Sequence, residues 1–177
     1  VTAHTESRLA DNDVVAAVVG GNLDAFSILV VRYEAPLKRY LVRLCRNTAI
    51  AEDLSQDAFA RAFENIRYYS RRRQFKAWLF RIAHNLWIDK VRKETRHTTP
   101  LVDVDDIVDP PNADAIDLER ALAAVTETEK SVLLLNHGCG LSHREISYVM
   151  DLPLGTVKSH ARRGLEKAAK AVRGRVE

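Results

Sequence analysis

Residues 141–173, LSHREISYVMDLPLGTVKSHARRGLEKAAKAVR, admit one local structure, two short helices across a tight turn. Ser142 followed three residues later by Glu145 is a capping box, in which hydroxyl and carboxylate satisfy orphan amides at a helix start. Ile146, Val149 and Met150 then recur at helical spacing and give that helix one apolar face. Asp151-Leu152-Pro153 ends it, because proline lacks an amide and pushes its predecessor out of the helical region. A second helix restarts near Leu154, with small and polar residues on its first turns and basic residues beyond. This is the pattern of a helix-turn-helix, whose second helix lies in the major groove of duplex DNA. Charge agrees: from Leu154 to Arg175 seven basic residues stand against one acid, Glu166. A basic helix alone reads equally as a solvated face. The cap, proline turn and basic second helix together point to DNA.

The net charge of only +3 over 177 residues hides strong segregation along the chain, and 46% hydrophobic residues permit real cores. Cys45 and Cys139 do not make a secreted disulfide framework and read as inert thiols. The first residues, VTAHTESRLADND, are polar and lack a signal-peptide pattern, and no stretch approaches the ~20 apolar residues of a membrane span. The expectation is a soluble, cytoplasmic protein.

Earlier in the chain, Val14, Val15, Val18 and Val19 mark a helix over about 11–19 that stops at Gly20-Gly21. A second helix begins after Asn22 and runs through Pro36, where a kink is expected, to Leu44. The third, IAEDLSQDAFARAFENI, carries a predicted buried stripe of Ile50, Leu54, Ala58, Phe59, Ala62, Phe63 and Ile66. Glu52, Asp53, Gln56, Asp57 and Glu64 form its acidic exposed face. On composition that face is either solvated surface or a docking site for a protein.

Residues 67–96 reverse the sign, with ten basic residues against Asp89 and Glu94. A helix from Phe75 to Glu94 is predicted to bury Trp78, Leu79, Ile82, Leu86 and Val91. The preceding IRYYSRRRQ mixes aromatic and basic side chains outside any regular pattern. Arginines along phosphates beside aromatic platforms suit single-stranded nucleic acid. Residues 97–113 then turn acidic and proline-rich, which reads as a flexible linker. Its paired aspartates lack the rigid support that a metal or carboxylate site needs. Helices follow over 114–125 and, capped by Thr128, up to Gly138-Cys139-Gly140. His137, Cys139 and His143 have metal-ligand spacing but no evident fourth ligand, so neither metal nor cofactor is expected.

In order, AEDLSQDAFARAFENI, FKAWLFRIAHNLWIDKVRKETR, an acidic linker and LSHREISYVMDLPLGTVKSHARRGLEKA resemble a bacterial sigma factor of the sigma-70 family, in its small extracytoplasmic-function (ECF) group. The resemblance implies an all-α fold with two small helical domains, region 2 over 11–96 and region 4 over 114–177, joined by the acidic linker over 97–113. It implies a transcription initiation factor rather than an enzyme. Core RNA polymerase is the implied partner, through its β′ clamp helices and β flap, with Asp53, Gln56, Asp57 and Phe59 on the β′ side. Recognition of an opened −10 element falls to Tyr68, Tyr69, Arg71, Arg72, Arg73, Trp78, Arg81, Asn85 and Asp89, where aromatic and polar pockets offset unstacking of a flipped base. Thr156, Lys158, Ser159, His160, Arg162 and Arg163 would read the −35 duplex. Such factors are commonly controlled by an anti-sigma factor, often a membrane-bound one, so membrane attachment would be indirect. His160 stands where many relatives carry arginine, and Arg71-Arg72-Arg73 makes the −10 loop unusually basic. The competing readings are a response-regulator output domain, suggested by LPLGTVKSH, and an adaptor that titrates an inhibitor. The first leaves residues 50–96 without a role, and the intact basic helix weighs against the second.

Overall fold

The computed structural model describes residues 9–70, 72, 74–96 and 113–173. Among them are eight α-helices and no strand, in two groups: α1 (Asp11–Val19), α2 (Phe26–Cys45), α3 (Thr48–Glu64) and α4 (Phe75–Arg96), then α5 (Ala113–Ala123), α6 (Glu127–Leu133), α7 (His143–Met150) and α8 (Leu154–Arg173). The predicted linker falls outside the described residues except for Ala113, as do Arg71 and Arg73.

α1 buries Val14, Val15 and Val18 and carries Asp11 and Asp13 in its first turn, where carboxylates complement the helix dipole. It ends at Gly20-Gly21 as predicted, and Gly21 takes φ 105°, a region glycine enters without a steric penalty. The Asp11 carboxylate accepts from Arg32 and from the Tyr33 hydroxyl, which ties α1 to α2. A short 3-10 turn, Leu23–Ala25, precedes α2, so that helix starts at Phe26, later than the sequence suggests. α2 continues without a break through Pro36. It closes on Arg46 at φ 55°, and the Asn47 side chain immediately caps α3 by accepting from the Ile50 amide at 2.9 Å.

α3 buries Ala51, Leu54, Ser55, Ala58, Phe59 and Ala62. Two members of the expected stripe differ. Ile50 is half-buried, and Phe63 is 38% exposed, with its ring edge-on to Phe26 at 5.1 Å. Ala51 and Ser55, outside that stripe, are buried instead, beside Ala58 and Ala62, which are buried as expected.

α4 departs further from expectation. Leu79 and Leu86 are buried as predicted, but Trp78, Ile82 and Val91 are only half-buried. Phe75, Ala77, Phe80, Ala83, His84 and Trp87 are buried too, so α4 is enclosed on most of its circumference. The cause is that α4 meets α2 and α3 on one side and α7 on another. Buried side chains of both helical groups accordingly form one continuous cluster.

In the second group, α6 is capped by Thr126, not by the predicted Thr128. Glu129 stands three residues after Thr126 and completes a reciprocal box, its carboxylate accepting from the Thr126 amide at 3.0 Å. α6 runs into one π-helical turn, Leu134–Gly138, and Gly140 then turns the chain at φ 68°. α7 opens with the Ser142–Glu145 box and closes on Asp151 at φ 53°, as the sequence indicates. α8 returns across α6 at close range: a Cβ on Gly164 would sit 3.2 Å from both the Glu129 Cβ and the Leu133 Cδ1. Beside this crossing, Lys167 Nζ lies 3.0 and 2.8 Å from the two carboxylate oxygens of Glu129.

The Lys167 ammonium, helped by the Thr126 amide, holds the Glu129 carboxyl down at about 2. A carboxyl depressed in the folded state stabilises fully above its unfolded pKa and loses that contribution as pH falls through the folded value. Glu129→Gln is therefore expected to lower stability at pH 7 by about 1–2 kcal/mol, the scale of a lost charge-assisted hydrogen bond. In urea denaturation the gap from the parent protein should close as the pH is taken from about 4.5 towards 2.

Candidate nucleic-acid and polymerase interfaces

Three surfaces gather the residues that the sequence singles out. On α3, Asp53, Gln56 and Asp57 are all exposed at i, i+3, i+4 spacing and share one face. Glu52 extends the acidic strip and meets Lys38 of α2 at 2.9 Å. Phe59 does not join them. It is 9% exposed and sits edge-on to Phe26, with ring centroids 6.5 Å apart. The aromatic that reaches solvent from this helix is Phe63, assigned to the core on periodicity alone.

The second surface surrounds the start of α4. A 3-10 turn, Ile66–Tyr68, leaves Tyr68 84% exposed while Tyr69 is 8% exposed. The Tyr69 hydroxyl donates to Asn12 at 2.9 Å, and its ring lies 5.3 Å from Trp78 and 5.8 Å from Phe75. Of the two adjacent tyrosines, only Tyr68 presents a ring that a base can stack on. Arg72 is exposed, as are Asn85 and Asp89, about one and two turns beyond the half-buried Ile82, while Trp78 is half-buried nearer the helix start. Arg81, on the same side of α4, is engaged by α7. Its Nη1 donates to the Tyr148 carbonyl at 2.6 Å, its guanidinium carbon lies 4.6 Å from the Tyr148 ring centroid, and Nη2 is 3.8 Å from Asp151.

The third surface is the start of α8. The turn before it is fixed by the Leu152 amide donating to the Ser147 carbonyl at 3.1 Å and the Ser147 hydroxyl donating to the Leu152 carbonyl at 2.5 Å. Val157 is fully buried and anchors the helix. Lys158, Ser159, Arg162 and Arg163 are exposed, and Thr156 and His160 are half-buried at the edge. Arg162 pairs with Glu166 at 3.0 Å, and Arg163 lies 3.4 Å from the His160 ring nitrogen Nδ1. A short capped helix thus supports a second helix whose first turns carry an exposed basic surface, the geometry of a major-groove reader.

Around His137 and His143, the Cys139 side chain is buried, and burial pushes its thiol up to about 11. Among the described residues no group of three or more His, Cys, Asp or Glu side chains could hold a metal ion. Also among them, no helix is long and apolar enough to cross a membrane.

The groups that sequence reasoning missed lie between the two sets of helices. Lys76 donates to the Cys139 carbonyl, and Lys130, only 5% exposed, donates to the Leu44 carbonyl at 3.3 Å. Tyr40 meets His84 Nδ1 at 2.9 Å and lies within hydrogen-bonding reach of Ser131, and burial takes the His84 imidazole down to about 4. One signal was available. The segment FKAWLFRIAHNLWI is apolar on more than one side, which a helix packed on a single neighbour does not need.

The helical order and the site geometry define an all-α protein with a helix-turn-helix at its C-terminal end. The Sigma-70 region 2 family model matches residues 29–97, and the Sigma-70, region 4 model matches residues 115–167. The chain is 32% identical to the ECF RNA polymerase sigma factor SigW of Bacillus subtilis over 177 residues, which covers 90% of this chain and 95% of the relative. It is 28% identical to the ECF RNA polymerase sigma-E factor of Escherichia coli K12, covering 90% and 92%. Among solved structures, the sigma factor RpoE of Bartonella quintana, in complex with the anti-sigma factor NepR, superposes with a TM-score of 0.74 at 22% identity, covering 84% and 96%. CnrH in complex with the cytosolic domain of CnrY superposes at 0.71 and 24% identity, covering 94% and 99%. The chain belongs to the sigma-70 family of RNA polymerase sigma factors, in its ECF group.

The burial contrast within Tyr68-Tyr69 separates fold from binding. Tyr69→Phe is expected to cost about 1 kcal/mol of stability, the worth of its hydrogen bond, and Tyr68→Ala less than about 0.5 kcal/mol. Tyr68→Ala should instead weaken capture of a −10 single strand by about 1–3 kcal/mol, the contribution of one stacked base. Urea denaturation of both variants and strand binding by their polymerase complexes check this.

Proposed function

We propose that this chain binds core RNA polymerase through the acidic face of α3, places α8 in the −35 duplex, and holds the opened −10 strand on Tyr68, Arg72 and the exposed strip of α4. In this reading residues 11–96 are the region-2 domain, 114–177 the region-4 domain and 97–113 the tether that spans the promoter spacer. The observation that carries it is the exposed basic surface of α8, raised on a capped helix in a chain that also presents an acidic α3 face. Asp53, Gln56 and Asp57 face the polymerase β′ clamp helices, and the C-terminal domain faces the β flap. Phe59 supports the α3 surface from beneath. Arg71 and Arg73 flank Arg72 in the sequence and would add positive charge for the strand's phosphates.

The chain carries out no catalysis of its own in this reading: polymerase supplies the chemistry, and this protein supplies promoter choice and strand capture. It works in the cytoplasm, where polymerase and DNA are. An anti-sigma factor holds it inactive, and any attachment to a membrane runs through that inhibitor. The Bartonella quintana relative, bound to an anti-sigma factor, supports this control.

In-vitro transcription with purified core polymerase and fragmented genomic DNA tests the reading. Discrete transcripts should start only when the protein is present. Duplex binding without transcripts would favour a conventional regulator, and binding to neither polymerase nor DNA would favour an adaptor. Asp53→Ala with Asp57→Ala is expected to weaken polymerase binding about tenfold, or about 1.4 kcal/mol. Arg162→Ala or Arg163→Ala should weaken −35 binding on all sequences and lower the salt dependence by about one unit for each lost phosphate contact.

A further inference from the structure

We propose that the first turn of α1 is a positioning element for the −10 strand: Asn12, by holding Tyr69, fixes the turn that presents Tyr68 to a base. This deepens the function proposed above and rests on its assignment of Tyr68 to the −10 strand.

Tyr68 is 84% exposed, so contacts of its own give its ring little direction. The direction comes from the 3-10 turn Ile66–Tyr68, in which the Tyr68 amide donates to the Asn65 carbonyl at 2.9 Å and the Tyr69 amide to the Ile66 carbonyl at 3.2 Å. A single 3-10 turn has poor hydrogen-bond geometry and does not hold its place unaided. Anchors on either side of Tyr68 hold it, since Ile66 and Tyr69 are only 5% and 8% exposed. Ile66 is anchored as an apolar side chain of the core. Tyr69 is anchored from α1, its hydroxyl donating to Asn12 Oδ1 at 2.9 Å across 57 residues of chain. The neighbouring Asp11 secures the same knot from another side. Its carboxylate accepts from the Tyr33 hydroxyl, the Tyr33 ring lies 5.7 Å from Phe75, and Phe75 lies 5.8 Å from Tyr69. Asp11, Tyr33, Phe75, Tyr69 and Asn12 therefore close a ring of contacts that begins and ends on consecutive residues of α1. The ring pins Tyr69 directly after the turn and Phe75, fully buried, at the start of α4. Fixing a binding group before its ligand arrives lowers the ordering cost of binding, so this brace raises strand affinity without touching the strand. Tyr69 thus serves the fold directly and binding only through its neighbour.

The test measures binding of a short fluorescent single-stranded DNA of mixed sequence to the complex of the full-length protein with core polymerase, after circular dichroism confirms that each variant folds. Tyr68→Ala is expected to weaken strand binding roughly fivefold or more, the loss of one stacked base. Asn12→Ala should weaken it about threefold, a part of that loss, with polymerase affinity unchanged. In the double variant the loss should match that of Tyr68→Ala alone, because a residue that acts by aiming a ring has no effect once the ring is gone. Asn12→Asp keeps an oxygen acceptor for the Tyr69 hydroxyl and should recover the parental affinity. Parental strand affinity in a folded Asn12→Ala would overturn the proposal. So would losses that multiply in the double variant, or an Asn12→Asp that binds as weakly as Asn12→Ala. A role in stability alone would lower the urea midpoint and produce none of these changes. If Asn12→Ala does not fold, Tyr69→Phe removes the donor and keeps the ring, and unchanged strand binding there overturns the proposal equally. The two levels separate cleanly. Tyr68→Ala at parental affinity removes the −10 assignment and the brace with it, whereas a weakened Tyr68→Ala beside an unchanged Asn12→Ala leaves the assignment standing and removes the brace alone.

Discussion

Helix α4 has more apolar surface than one neighbour can cover, and most of the architecture follows from that. Phe75, Leu79 and Ala83 are fully buried and Leu86 nearly so, and Phe80, His84 and Trp87 are buried with them. A helix that is apolar nearly all round is stable only inside a core, so α4 must be enclosed from two directions. α2 and α3 provide one wall and α7 contributes to the other. Among its described residues, Asn85, Asp89, Arg92 and Lys93 are exposed, and there the helix can meet something outside the protein.

Local sequence chemistry fixes the helix-turn-helix as firmly as packing fixes α4. Both α6 and α7 begin with a reciprocal capping box, and in each the glutamate at the third position answers the hydroxyl at the cap. In α6 the same carboxylate also receives Lys167 from α8, so one side chain caps a helix and helps set how α8 crosses it. Gly164 permits the crossing by carrying no Cβ where two neighbouring atoms come within 3.2 Å. The exposed face of α8 is thus aimed by contacts on its opposite side, and substitutions there would reorient its exposed basic residues without touching them.

What could be read from the sequence and what could not divides along the range of the forces involved. The limits of α1, the Ser142 cap and the restart of α8 at Leu154 rest on neighbours within four residues, and the sequence displays those neighbours. The shift of the cap from Thr128 to Thr126 is a slip of the same local kind, since both threonines precede an acidic residue and only Glu129 stands three positions from its cap. The misplacement of Phe63 and Trp78 has another origin. Helical periodicity says that a face is apolar but not how many partners it meets, and α4 meets a partner 60 to 70 residues away in the chain. Tyr69 and Tyr68 are chemically equivalent as letters, and what distinguishes them is tertiary, the reach of Tyr69 back to Asn12 and its packing against Phe75 and Trp78.

The seam between the two helical groups is held by a particular kind of polar contact. Lys76 and Arg81 donate to main-chain carbonyls, and the one carboxylate near Arg81, that of Asp151, is exposed and 3.8 Å away. A cation bound to a carbonyl keeps its charge, whereas one locked to a buried carboxylate could be released only by stranding the acid in a low-dielectric interior, at a cost of several kcal/mol. Leaving a carbonyl that water can then solvate costs far less. These cations are therefore held in place but not neutralised. Lys130 is the exception, since it is buried, and burial lowers the pKa of its ammonium. Of the three cations it carries the largest desolvation cost, which its hydrogen bond to the Leu44 carbonyl offsets in part.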